Sequence, residues 1–95
     1  MTLAELAQYE NPDQAIFDAM TFLDSNNPLL GDIKMLFLFM LKDRIDGKTS
    51  DLTVLSKKVS CTPKRAEKYM NLLVRRAILL PEDVQDIQRP ARRLN

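Results

Sequence analysis

The chain has 95 residues, of which 45% are hydrophobic and 28% charged, and a formal net charge of +1, which together predict one soluble domain with a single core. Cys61 is the only cysteine and histidine is absent, which excludes an intramolecular disulfide and the common zinc sites and favours a reducing compartment, cytoplasmic or nucleoid-associated. The longest apolar run, 35–41, has seven residues, whereas a membrane span needs about 20, and no signal peptide is recognisable.

The N-terminal part, residues 1–31, is acidic and is predicted to form two helices. Thr2 and Glu5 have the spacing of a capping box, which predicts a short first helix. Asn11 before Pro12 predicts the start of a second helix, which ends before a turn at 25–28. The apolar residues of the second helix follow one core-facing stripe, with Phe22 on its flank: Ile16, Ala19, Met20 and Leu23.

A third helix is predicted at 32–45, stopped by Gly47. It has two apolar stripes, so that one neighbouring layer does not cover it; the first consists of Ile33, Leu36, Phe37, Met40, Leu41 and Ile45, and the second of Met35, Leu38 and Phe39. We expect either a central helix packed on both sides or a second stripe that forms a homodimer interface with Phe17 and Phe22.

Two amphipathic segments joined by a short polar turn follow, at 51–59 and 62–77. Leu52, Leu55 and Val59 form the apolar side of the first segment. In the second segment, Thr62 precedes Pro63 as a helix cap, and one face carries Ala66, Tyr69, Met70, Leu73 and Ala77. The opposite face is basic and polar, which suits contact with phosphates.

Charge is strongly segregated along the chain. Residues 1–41 carry a net charge of −5 and residues 42–76 a net charge of +6. Concentrated positive charge attracts a polyanion even when the whole molecule is nearly neutral. The alternative interpretation is an ordinary solvated helix face.

The residues around the turn have a recognisable order. Leu55, Ser56 and Val59 stand in the first segment, Ser60, Cys61 and Thr62 in the turn, and Ala66 and Tyr69 in the second segment. In this order, residues 33–80 resemble the helix-turn-helix superfamily, and more closely its winged-helix transcription regulators. The family usually has glycine where Ser60 stands, and its small apolar turn residue corresponds to Cys61, which we expect to pack rather than to sense redox state.

The resemblance implies a mainly α single domain over 1–95: a helix-turn-helix, winged-helix-like core at 32–80, an acidic helical extension at 1–31, and at most a small two-stranded wing. At 81–95, Pro81 and the acidic residues after it favour a short helix over a wing strand. The closing arginines are either a disordered extension or an arm that contacts phosphates; they are Arg89, Arg92 and Arg93.

The basic charge and the resemblance together predict a sequence-specific double-stranded DNA-binding protein, a small transcription regulator that inserts helix 62–77 into the major groove. The predicted contacts are Lys57, Lys58, Thr62, Lys64, Arg65, Lys68, Asn71 and Arg75. The alternative function is an adaptor or inhibitor of the same fold that binds another protein through this face. No catalytic constellation or phosphate-binding glycine loop is recognisable, so we expect no enzymatic activity and no cofactor.

Overall fold

The computed structural model describes residues 2–25 and 31–89. In these two ranges the chain forms six α-helices and no β-strand, which confirms the predicted mainly α fold. The helices are α1 Leu3–Ala7, α2 Pro12–Ser25, α3 Gly31–Ile45, α4 Leu52–Lys58, α5 Pro63–Arg75 and α6 Pro81–Gln85. None of them is long and apolar enough to cross a lipid bilayer. Most of the predicted turn at 25–28, and both Arg92 and Arg93, lie outside the described residues.

Side-chain caps confirm the predicted starts of α1, α2, α4 and α5. Thr2 accepts a hydrogen bond from the backbone N–H of Glu5, and Asn11 Oδ1 accepts from two backbone N–H groups at the start of α2. Asp51 and Thr62 cap α4 and α5 in the same way. These caps satisfy backbone donors that no helical carbonyl can reach, which is why short sequence signals locate helix starts well.

Three successive helices, α3, α4 and α5, end in the same backbone turn. The residue two positions beyond each helix has a positive φ: 71° at Gly47, 56° at Ser60 and 60° at Ala77. In each case the next N–H donates to the carbonyl five residues earlier, as Cys61 does to Ser56 at 2.9 Å. This is the Schellman arrangement, in which glycine is usual because it has no Cβ.

Helix α3 is the centre of the domain, which agrees with the expectation of a central helix packed on both sides. It packs against α1, α2, α4 and α5. Its first predicted stripe is buried except for Ile45, which is half-buried. The second stripe is largely covered too, because Leu38 and Phe39 pack partly buried against the core, whereas Met35 remains 45% exposed.

Two predicted core positions are wrong. Met20 is 49% exposed, and the buried stripe of α2 runs through Ala15, Ala19 and Leu23 instead. Ala77 is exposed because α5 ends at Arg75 and the chain turns through the positive φ of Ala77. No glycine marks the end of α5, so the apolar period of the sequence extends beyond the helix to Ala77.

The C-terminal part forms a helix where a wing strand was the alternative, and it is tied to the rest of the domain. Backbone hydrogen bonds join Gln88 to Ser50 and Leu52, at 2.9 and 2.8 Å, in an isolated parallel bridge. The buried Asp83 of α6 accepts hydrogen bonds from Arg44 Nη2 at 2.7 Å and from the backbone N–H of Leu80 at 2.9 Å. These contacts tie α6 to Arg44 of α3 and the segment after it to the start of α4, while α6 itself packs against α5.

Candidate nucleic-acid interface

Helices α4 and α5 are packed against each other and joined by a tight turn at 59–62. Ser60 adopts the left-handed backbone region that usually belongs to glycine, and the turn closes through the Cys61 N–H. Leu55 and Val59 on one side of the turn and Ala66 and Met70 on the other are buried in the common core. The core therefore fixes which side of α5 faces solvent.

The solvent-facing side of α5 carries a straight basic and polar stripe. Its members are spaced at i, i+4, i+7 and i+11, so they lie on one face of the helix over about 17 Å, at about 1.5 Å of rise per residue. All of them are exposed: Lys64, Lys68, Asn71 and Arg75. Arg65 is exposed on the flank of this stripe, one residue after Lys64.

No cation of this stripe forms an ion pair with a carboxylate of residues 2–25 or 31–89. In the described part of the chain, the ion pairs are Lys34–Asp24, Arg44–Asp83 and Arg89–Glu67. None of these pairs uses a cation of α4 or α5. The basic side chains of the two helices are therefore available to an external anion.

The start of α5 adds to the positive potential. Thr62 Oγ1 accepts from the backbone N–H of Arg65 at 3.2 Å, and the Ala66 N–H donates to the Thr62 carbonyl at 3.0 Å. Pro63 has no N–H, so the first-turn donor left for an external anion is the backbone N–H of Lys64. The aligned peptide dipoles place partial positive charge at this end of the helix. Arg65 stands in the same first turn, so side-chain and backbone charge reinforce each other.

The two lysines of α4 have different surroundings. Lys57 is exposed and makes no ion pair among the described residues. Lys58 Nζ lies 5.1 Å from the centre of the Phe39 ring, a cation–π contact that holds this side chain against α3. Lys58 remains exposed, so its charge still contributes to the surface.

Two acidic contributions modify the surface. Glu67 is a half-buried residue on the solvent-facing side of α5, and Arg89 Nε donates to its Oε1 at 2.6 Å. Asp32, at the start of α3, lines a shallow pocket of about 310 Å³ with the 60–62 turn and Arg65. Sequence reasoning missed both Asp32 and the Glu67–Arg89 pair, since each joins residues more than 20 positions apart and no local pattern indicates either.

Cys61 behaves as a packing residue of the turn. Its side chain is half-buried against the core. Burial raises the pKa of the Cys61 thiol, the negative charge of Asp32 raises it further, and Arg65 acts in the opposite direction. The thiol is therefore protonated at neutral pH and is a poor nucleophile.

The predicted contact residues all reach solvent. The structure brings α4 and the first turns of α5 together at one tight turn and places Arg75 at the far end of the α5 stripe. The exposed residues are Lys57, Lys58, Thr62, Lys64, Arg65, Lys68, Asn71 and Arg75. Comparisons of the chain with protein-family models, with curated proteins and with solved structures found no match.

Proposed function

We propose that the protein is a sequence-specific double-stranded DNA-binding regulator of transcription, in which α4 and α5 are the two helices of a helix-turn-helix motif. The observation that supports this proposal most is the stripe of exposed, unpaired cations on α5, which begins at a capped helix start. The major groove of B-DNA admits one α-helix, and its base edges offer hydrogen bonds to such side chains. The wing of a winged helix is no part of the proposal, because α6 follows α5.

The contacting residues divide into two groups by position. Lys57, Lys58 and the capped start of α5 at Thr62 bind phosphates and set the orientation of the domain on the duplex. Base edges are read by side chains of the α5 face, and Lys64 serves either purpose. The base-reading residues are Arg65, Lys68 and Asn71. Arg75 binds a phosphate at the far end of the stripe.

The proposed DNA-binding form is a homodimer. Exposed apolar side chains on α2 and α3 supply the interface: Phe17 is 65% exposed, Met20 49% and Met35 45%. Phe22, Leu38 and Phe39 pack partly against the core of their own chain and contribute less. Two-fold symmetry then presents two α5 helices to half-sites about 34–36 Å apart.

The second candidate function is binding of another protein through the same surface. The observation that favours it is the carboxylate of Asp32 beside the start of α5, together with Glu67 on the helix itself. Both repel phosphates, whereas a surface of mixed charge suits a protein partner. This candidate describes an adaptor or inhibitor rather than a regulator that binds DNA.

The two functions are separated by titrating a labelled random duplex at low salt. The test variant, Lys64→Ala with Lys68→Ala, removes two cations from the α5 stripe. The control, Lys42→Ala with Lys48→Ala, removes the same charge from two exposed positions near the C-terminal end of α3. Asp32, which borders the α4–α5 turn, lies at the opposite end of this helix. Both variants therefore have the same net charge.

We expect the unmodified protein to bind with a slope of log K against log salt of about −4.5 to −6, for about five to seven neutralised phosphates. On a random duplex, where no preferred base is present, Lys64 and Lys68 both lie against phosphates, so the α5 variant loses about two units of this slope and the control keeps it. Absence of binding by the unmodified protein, or equal loss in the two variants, would favour the protein-binding function.

A further inference from the structure

Glu67 is the one acidic residue of α5, and it lies within the surface proposed to meet DNA. It follows Lys64 by three positions and precedes Asn71 by four, so it borders the basic stripe on the side away from Arg65. A carboxylate in this place repels phosphates of every duplex. Its presence therefore has to be explained by something other than affinity.

Arg89 holds one oxygen of this carboxylate in place. Its Nε donates to Glu67 Oε1 at 2.6 Å, and its Nη1 donates to the carbonyl oxygen of Ile87 at 3.1 Å. Ile87 is buried, and the adjacent Gln88 is fixed by two backbone hydrogen bonds to Ser50 and Leu52. The guanidinium is thus anchored through backbone rather than resting loosely on the surface, which limits the positions that the carboxylate can adopt.

The second oxygen of Glu67 is free to accept. Among the described residues none donates to Oε2, and the Glu67 side chain is 42% exposed to solvent. In the major groove, cytosine N4 and adenine N6 are hydrogen-bond donors, whereas guanine O6 and thymine O4 are acceptors that repel a carboxylate. A fixed carboxylate oxygen therefore distinguishes base pairs by charge and by hydrogen bonding.

We infer that Glu67 is a specificity-determining residue that selects a base with an exposed amino group, cytosine foremost, and that Arg89 is the positioning residue that aims its free oxygen. This inference rests on the proposed DNA-binding function and adds to it a base that the site selects and bases that it rejects. It also gives Arg89 a defined role within the domain, at the edge of the α5 surface.

The test is selection of preferred duplexes from a random pool, followed by affinity measurements on single-base variants of the selected site. The unmodified protein should select a cytosine at one position of each half-site. Glu67→Ala should lose about tenfold discrimination at that position alone, keep its other preferences, and bind random duplex more tightly. Glu82→Ala, which removes an exposed carboxylate from α6, should leave all preferences unchanged.

Arg89→Lys tests the positioning role. Lysine keeps the positive charge but cannot contact Glu67 and the Ile87 carbonyl through one planar group. We expect affinity for random duplex to be preserved while the cytosine preference weakens, whereas Arg89→Gln should lose both. Thermal melting of each variant establishes that it is folded before its binding is interpreted.

The outcomes distinguish failure of the proposed role of Glu67 from failure of the proposed DNA-binding function. If the unmodified protein selects a site and Glu67→Ala keeps every base preference, the role of Glu67 is wrong while DNA binding stands. If Arg89→Lys retains the full cytosine preference, Arg89 acts only as a countercharge. If the unmodified protein binds no duplex, the proposed function fails and the inference fails with it.

Discussion

At the residue scale, Asp32 and Cys61 show how a side chain from a distant helix changes the chemistry of the turn. Asp32 lines the same pocket as the 60–62 turn, and its charge raises the pKa of Cys61 beyond the effect of burial. Nothing in the spacing of the sequence places the start of α3 beside this turn. The contact is therefore the most direct check on how α3, α4 and α5 are arranged.

We predict that Cys61 of the native protein reacts slowly with a disulfide reagent such as Ellman's reagent at neutral pH. Asp32→Asn removes a negative charge that disfavours the thiolate, so its pKa falls and the reaction accelerates. Arg65→Gln removes a cation that favours the thiolate and should slow the reaction. The rate, measured as a function of pH, checks both directions.

Reactivity in the unfolded state supplies the control for this prediction. In denaturant, all three proteins should react at the rate of an ordinary cysteine, because the charges no longer lie near the thiol. If Asp32→Asn changes the native rate by no more than Asp18→Asn does, Asp32 does not face Cys61. Asp18 is a suitable comparison because it lies on α2 and accepts a hydrogen bond from the Tyr9 hydroxyl, away from the 60–62 turn.

At the scale of the element, the capped helix starts and the end of α3 before Gly47 could be predicted from sequence, whereas the end of α5 could not. Thr2, Asn11 and Thr62 act within three residues, so their spacing alone indicates the cap. The turns after α4 and α5 depend on a positive φ at Ser60 and Ala77, which neither residue favours. The surrounding core imposes these turns, since Leu73 and Ile78 are both buried where α5 ends.

We predict that glycine at the two unfavourable turn positions stabilises the protein. Ser60→Gly and Ala77→Gly each remove a Cβ from a left-handed residue, which should raise the free energy of unfolding by about 0.5–1 kcal/mol. Gly47→Ala, with φ of 71°, should lower it by about 1 kcal/mol. Urea denaturation with a shared slope compares the variants.

Gly31→Ala is the matched control for this series. Gly31 lacks a positive φ, and neither glycine has a neighbouring atom within 4 Å that an added Cβ would meet. A loss of stability at Gly47 that Gly31 does not share therefore comes from the backbone. Equal losses at the two positions would contradict the assignment of the turn.

At the scale of the whole molecule, the fold class and most of the basic surface could be predicted, because amphipathic period and charge are local properties of the sequence. What the sequence could not supply are the contacts between distant segments. Arg89 beside Glu67 and Asp32 beside the turn depend on how the helices pack. The exposure of Met20 depends on packing in the same way, because the small residues Ala15 and Ala19, rather than the larger Met20, occupy the buried side of α2.

We predict that the protein is a homodimer at tens of micromolar concentration, joined through its exposed apolar side chains. Phe17→Glu with Met35→Glu places charge in that interface and should give a monomer in sedimentation equilibrium. Val54→Glu is the control, since Val54 is 47% exposed on α4 and lies outside the predicted interface. A monomeric unmodified protein would remove this prediction and the paired half-sites that follow from it.

The N–H of Leu3 donates to the carbonyl of Ile78 at 3.2 Å, and Leu3 and Leu6 are fully buried in the common core. Helix α1 therefore has no complete packing surface until Ile78 and its neighbours have been synthesised. During translation, the apolar sides of the acidic N-terminal helices therefore stay partly uncovered until the second half of the chain has been synthesised. Closure of the core is consequently a late, cooperative event, and a chain truncated before Ile78 should be a substrate for cellular proteases rather than a smaller folded domain.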